Sequence, residues 1–368
     1  MFDRRLIKHF DWILLIIALT IAVIGILNIY SATTANPLYT KNHLWLKQLY
    51  WLIIGSAVMC FVFLFDYRLL ERWAFFIYGF SMIMLIAVLF WGKAVCGSKR
   101  WLVLGPVSFQ PSEVVKIAII IVLARYFSGY SEQAGFGFRE IRQPSILTLI
   151  PFALLVEEPD LGTAVLILLI AGSIALFCKI KTRLVLSLVL LGIISFPVQW
   201  AFLKGYQRQR ILTFINPEED PLGNGYHTIQ SIIAVGSGKV FGKGYLKGTQ
   251  NYLAFLPEQH TDFIFSVLAE EWGFVGSSVV IFLFLALVVR GLKIAIRSRE
   301  PFGTILAFGI SIMIFWQIFI NVGMAMGILP VVGVPLPLIS YGGSSVIMVM
   351  GGIGILMNVS MRRFMFQE

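Results

Sequence analysis

What most limits this chain is a series of uninterrupted apolar runs, each about as long as a bilayer is thick. The first covers residues 12–29 and the last residues 343–360. A helix needs roughly 20 apolar residues to cross a hydrocarbon core of ~30 Å. Composition agrees: 58% of the residues are hydrophobic, 13% are charged, and the mean hydropathy is +0.86. A soluble globular chain carries about 25% charged residues. A transmembrane β-barrel would show segments of alternating polarity, about ten residues long. The expectation is an all-α polytopic membrane protein with a single membrane domain over residues 1–368.

About ten spans are expected, over 11–31, 47–66, 74–92, 112–127, 144–158, 160–178, 184–203, 274–291, 302–326 and 343–360. The fourth and fifth are short and carry ionisable residues at one end. The first follows a basic N-terminus, as a signal peptide would. It is too long for such a segment and no clean small-residue cleavage site follows, so it reads as an uncleaved span. Between the seventh and eighth spans lies a segment of residues 204–273, too long to be structureless in a compact protein. Within it, "IQSIIAVGSG" (229–238) and "DFIFSVLAEE" (262–271) are apolar but too short to span. They read as half-helices or interfacial helices, so this outer loop should be partly helical.

Basic residues orient the map. With the N-terminus inside, 17 of the 29 Lys and Arg are cytoplasmic, 11 are outside, and Lys116 falls within a span. Both termini are then expected in the cytoplasm. Of the outer cations, nine lie in 93–100 and 204–247. They are either ordinary solvated surface or a place for an anionic ligand such as a lipid diphosphate. The stretch "GSGKVFGKGYLKGTQ" (236–250) contains Lys239 and Lys243 among five glycines, but lacks the G-x-x-x-x-G-K-[ST] spacing of a nucleotide loop. Cys60, Cys96 and Cys178 have no metal or disulfide spacing. Cys60 and Cys178 read as small apolar residues and Cys96 as a free thiol.

Ionisable residues near membrane depth usually face a cavity or pair with one another. Three places qualify. Glu113 and Lys116 are spaced i, i+3 at the start of the fourth span, so they share a helix face and can pair. The pair is either structural or holds the lysine toward an anion. Glu157, Glu158 and Asp160 cluster between spans five and six. Asp160 can cap the sixth helix, or the three acids can bind a divalent cation. Finally, Thr261 or Asp262 can be the N-cap of a short helix starting at Phe263. Alternatively, Asp262 is a general base whose apolar neighbours raise its pKa. Glu270 and Glu271 lie about 12–13 Å further along a continuous helix, too far to form a close carboxylate pair with Asp262. The prolines and glycines of "PLPLISYGGSS" (335–345), which includes Ser344, fit a tight re-entrant turn or a cavity-lining segment. Asn321, inside span nine, is an interhelical hydrogen-bond partner or cavity lining.

Four stretches resemble signatures of the SEDS family (shape, elongation, division and sporulation), in the family's order: "GSKRWLVLGPVSFQPSEVVK" (97–116), "EEPDLGTA" (157–164), "LPEQHTDFIFSVLAEEWGF" (256–274) and "PLPLISYGGSS". The resemblance covers essentially the whole chain, and residues 216–250 look like the rod-shape branch rather than the division branch. It implies a peptidoglycan glycosyltransferase that polymerises lipid II at the outer face of the inner membrane during elongation. It also implies a class B penicillin-binding transpeptidase as partner. Asp262 matches the family's proposed catalytic residue, and Glu113 and Lys116 match its essential pair. Arg100 and Asp160 match with a less defined role. Lys116, Arg100 and the loop lysines are then candidates to stabilise a departing diphosphate, aided by a divalent cation, Mg or Mn. No organic cofactor and no nucleic-acid partner are expected. The competing reading is a lipid II flippase, which would need a polar path through both leaflets.

Overall fold

The computed structural model describes residues 10–34, 43–95, 98–104, 107–129, 136–181, 205–216, 224–252 and 259–362, with isolated residues between 184 and 194. In chain order the elements are α1 (Trp12–Thr34), α2 (Leu44–Leu64), α3 (Arg68–Trp91), β1 (Lys93–Val95), β2 (Ser98–Leu104), β3 (Val107–Phe109), α4 (Pro111–Ser128), α5 (Phe138–Glu157) and α6 (Leu161–Phe177). Then follow α7 (Gly205–Ile215), α8 (Asn224–Ser237), α9 (Thr249–Tyr252), α10 (Ile264–Arg297), α11 (Pro301–Ala325) and α12 (Gly343–Arg362). Six of these, α1, α2, α3, α10, α11 and α12, are long and apolar enough to cross a membrane, and α6 is a shorter apolar helix. A helix lies at every expected span except 184–203, most of which is outside the described residues.

The helices sort by how much of each faces the interior. α12 and α4 are buried nearly all round, whereas α2 leaves most of its surface outward. Lipid tails are as apolar as leucine, so helices associate here by close packing rather than by escaping water. Small residues make that packing possible. A Cβ at Gly354 of α12 would sit 2.8 Å from the Met59 carbonyl oxygen of α2, so only glycine lets these backbones approach.

Two features depart from the expected all-α fold. A small antiparallel sheet, β1-β2-β3, fills the connection between α3 and α4. Trp101, Val103, Val107 and Phe109 supply the aromatic and β-branched side chains that favour strands. Three short strands are a weak pattern beside 20-residue apolar runs. The second departure is at α10. The expected helix starting at Phe263 begins at Ile264, so Phe263, not Thr261 or Asp262, holds the N-cap position.

α10 runs for 34 residues, about 51 Å if straight, well beyond one bilayer crossing. It breaks at Gly273, whose φ of 67° and ψ of −163° are essentially restricted to glycine. The break separates a half-helix, 264–272, from a span that begins at 274. The glycine-rich loop around residues 238–248 packs onto the break. The Phe274 amide donates to the Lys239 carbonyl (2.9 Å) and the Val275 amide to the Val240 carbonyl (3.1 Å), while the Lys243 and Gly244 amides donate to the Glu270 and Glu271 carbonyls (both 3.0 Å). These bonds satisfy the backbone groups that the kink frees. A Cβ at position 273 would also strike the backbone of Val240 and Gly242. Gly273→Ala should therefore cost at least ~1–3 kcal/mol. A fall in the thermal midpoint of the detergent-purified protein measures it, and an unchanged midpoint would show that the break is not strained.

Candidate active site

Asp160 gathers the first cluster of the site. It is the N-cap of α6, where its Oδ1 accepts from the Thr163 amide (3.3 Å). Its Oδ2 accepts from the Ser112 hydroxyl (3.2 Å) and the Gln110 side-chain amide (3.4 Å), and Arg100 lies 3.7 Å from Oδ1. Arg100 also donates to the Pro159 carbonyl. One buried carboxylate thus ties β2, the start of α4 and the start of α6 together. The Gln110 amide extends the cluster by donating to the Ser344 hydroxyl (3.1 Å) at the start of α12.

One turn into α4, Lys116 Nζ donates to Glu113 Oε1 at 2.7 Å, and each side chain is only 2% exposed. The expected pairing is made. Glu113 Oε2 has no protein partner.

The acids 157, 158 and 160 do not converge. Glu157 is exposed, whereas Glu158 is buried. Among the described residues no group of three His, Cys, Asp or Glu is placed to hold a metal ion.

Asp262 is positioned from behind by the chain's own breaks. Asn321 Nδ2 donates both to the Asp262 carbonyl (3.0 Å) and to the Val334 carbonyl (2.8 Å). The Ser340 hydroxyl donates to the Thr261 carbonyl (2.7 Å), and the Tyr341 amide to the His260 carbonyl (2.9 Å). The carboxylate itself is half-buried and faces Gly333, where a Cβ would come within 3.4 Å of Oδ2. The other side of this segment packs on Gly162, two residues past Asp160, against Val332 and Val334. Residues 332–334 therefore lie between Asp262 and the Asp160 cluster.

A cavity of about 500 Å³ opens beside these elements. Its walls include Lys47, Trp51, Trp101, Ser108, His260, Thr261, Tyr341 and Gly343. Trp101 follows Arg100, Ser108 precedes the Gln110 contact, and Thr261 precedes Asp262. The 335–345 segment is thus both a tight turn and part of a cavity wall. Lys47, Trp51 and His260 were not singled out in the sequence. Lys47 carried a usable signal, being a cation at the start of the second expected span.

The loop lysines are placed differently. Lys243 Nζ donates to Glu270 Oε1 and to Thr249 Oγ1, both at 2.7 Å. Glu270 also accepts from the Thr249 and Gln250 amides (2.9 and 3.1 Å). Glu271, almost wholly buried, accepts from Ser31 of α1. These acids secure the far end of the half-helix. Lys239 is exposed on the loop. Glu258 lies outside the described residues.

Fold and site together define a helical protein with six membrane-length apolar helices among the described residues and a cavity walled by Lys47, aromatic rings and three of the sequence motifs. The family of FtsW, RodA and SpoVE, described as cell cycle proteins, matches residues 11–364. The peptidoglycan glycosyltransferase MrdB of Escherichia coli K12 is 41% identical over 98% of this chain and 96% of its own. The peptidoglycan glycosyltransferase RodA of Treponema pallidum is 34% identical over 98% and 99%. Among solved structures, a chain from a study of polymerisation and crosslinking by a peptidoglycan synthase complex superposes with a TM-score of 0.83 at 30% identity, covering 98% of this chain and 99% of that one. The rod shape determining protein RodA of Thermus thermophilus gives 0.72 at 28% identity, covering 96% and 98%. The chain belongs to the FtsW/RodA/SpoVE family.

The buried Glu113–Lys116 pair makes a specific prediction. Removing one partner strands a buried charge and costs ~3–5 kcal/mol. Lys116→Met and Glu113→Gln should each lower the thermal midpoint sharply, and the double variant should be more stable than the sum of the single losses implies. Strict additivity would show that the two charges do not interact.

Proposed function

We propose that this peptidoglycan glycosyltransferase polymerises lipid II with Asp262 as its general base. The observation that carries the reading is convergence. Four sequence stretches far apart in the chain, 97–116, 157–164, 256–274 and 335–345, are joined by direct hydrogen bonds, and all but 157–164 line one cavity. A carboxylate, several cations and aromatic walls are the parts this reaction needs.

In the reaction, the acceptor sugar 4-hydroxyl oxygen forms a bond to the donor's anomeric carbon. The bond from that carbon to the diphosphate oxygen breaks, and the electron pair leaves on the diphosphate. Asp262 takes the hydroxyl proton, a contribution worth ~10²–10⁴-fold. Cations aimed at the developing negative charge lower the barrier further. Lys47, on the cavity wall, and Arg100, whose chain neighbour Trp101 lines the cavity, are the candidates, together with Lys116, which is paired with Glu113. A single displacement inverts the anomeric centre. Among the described residues no group of three acids converges; a divalent cation, Mg or Mn, would be held by the diphosphate and would supply further positive charge to it.

The finer topology belongs to the same reading. The chain makes about ten spans, both termini are cytoplasmic, and the cavity opens at the outer face of the inner membrane. The placement of the motif residues together at one end of the bundle favours polymerisation over flipping, which would need polar groups through both leaflets. The similarity to a chain of a peptidoglycan synthase complex supports a class B penicillin-binding transpeptidase as partner.

Asp262→Ala, purified and shown to keep its thermal midpoint, should lose about 10²–10⁴-fold in lipid II polymerisation. Asp262→Asn should fall as far, because the amide keeps the shape but cannot take the proton. Wild-type rates in either variant would remove Asp262 from the chemistry.

A further inference from the structure

At the opposite end of α4 lies a second cavity that the reaction does not use. It has a volume of about 380 Å³ and is lined by α4, α5 and α6, including Phe127, Pro144, Leu149, Leu168, Gly172 and Leu176. α4 begins at the Asp160 cluster and reaches this groove about 24 Å further on, at Phe127. The two cavities therefore lie toward opposite ends of α4, and on the orientation proposed above the second faces the cytoplasmic leaflet.

The groove has the dimensions of a lipid tail. Its α6 wall runs from Leu168 to Leu176, about 12 Å of helix, close to the ~15 Å depth of one leaflet. Gly172 is one reason it exists: a Cβ there would meet nothing within 4 Å. The mouth is basic. Ile141 and Ile180 line the groove, and Arg142, Lys179 and Lys181 are their chain neighbours. These three cations and Arg139 are exposed, whereas the one acid among them, Glu140, is occupied by the Gly137 amide (2.8 Å) as well as by the Lys181 and Arg139 charges. Cations keep an excess at the rim of an apolar slot.

We propose that this groove is a binding site for an anionic glycerophospholipid of the cytoplasmic leaflet. One acyl chain lies between α5 and α6, and the phosphate sits among Arg142, Lys179 and Lys181. Cations next to a membrane surface attract anionic headgroups. An annular lipid would show no headgroup preference, and the helix of another protein would need no cationic rim.

The test uses the full-length detergent-purified chain, with dioleoylphosphatidylglycerol and dioleoylphosphatidylcholine as probes and native mass spectrometry as readout. The wild type should retain one phosphatidylglycerol with about tenfold preference over phosphatidylcholine. Gly172→Trp should fill the slot and lose that lipid. Arg142→Gln with Lys179→Gln should keep a lipid but lose the preference. Polymerisation of lipid II checks that the variants fold; should Gly172→Trp fail this check, the rim variant decides alone. Equal retention of both lipids by the wild type, or a preference that survives the rim variant, overturns the proposal. So does a photo-crosslinker at position 172 that captures a polypeptide in native membranes instead of a phospholipid.

Discussion

Inside a bilayer no water is at hand to satisfy backbone groups that a helix releases, so each break in the ladder must be answered by the protein itself. This constraint shapes the site. Asn28 in α1 donates to the Ile264 carbonyl (3.0 Å), and Gln259 donates to the Ala32 carbonyl (2.9 Å). Gln48 in α2 donates to the Ser340 carbonyl (3.1 Å) and accepts from the Gly342 amide (3.2 Å). Asn321 in α11 closes the stretch between Asp262 and Val334. Amide side chains carry both a donor and an acceptor, so one residue can serve two freed groups. The irregular backbone around Asp262 is therefore rigid for the same reason that a helix is: its polar groups have partners.

The same logic divides the carboxylates. Asp160 is used up in capping α6 and gathering Ser112, Gln110 and Arg100. Glu270 and Glu271 hold the loop and α1 against the kink at Gly273. Glu113 neutralises Lys116. The main chain at Asp262 is held by Asn321, whose side-chain amide donates to the Asp262 carbonyl.

Much of this was legible in the sequence, for identifiable reasons. Apolar run length marks helices α1 to α3 and α10 to α12, because the bilayer imposes that length. The i, i+3 spacing of Glu113 and Lys116 implied their contact, since helix geometry alone brings them together. Glu270 and Glu271 were rightly separated from Asp262 by the rise of a helix. The β1–β3 sheet was missed because three short strands carry little periodicity. The role of Lys243 was hidden for a different reason. A lysine in a glycine-rich loop looks the same whether it awaits an anion or already holds Glu270, 27 positions away. Long-range pairing of this kind has no local signature.

The placement of the half-helix 264–272 follows from these contacts taken together. One end is held by Asn28 and Asn321, and the other by the Glu270 and Glu271 bonds to residues 243–250 and to Ser31. A helix of nine residues is not stable alone in water or at an interface, and it cannot set an orientation by itself. Pinned at both ends, it becomes a fixed strut. Asp262 sits at one end of the strut and the glycine-rich loop at the other. The loop's conformation is thereby linked to the position of the proposed base through about 13 Å of rigid helix, which makes the loop a mechanical part of the site although its paired lysine does not reach into the cavity.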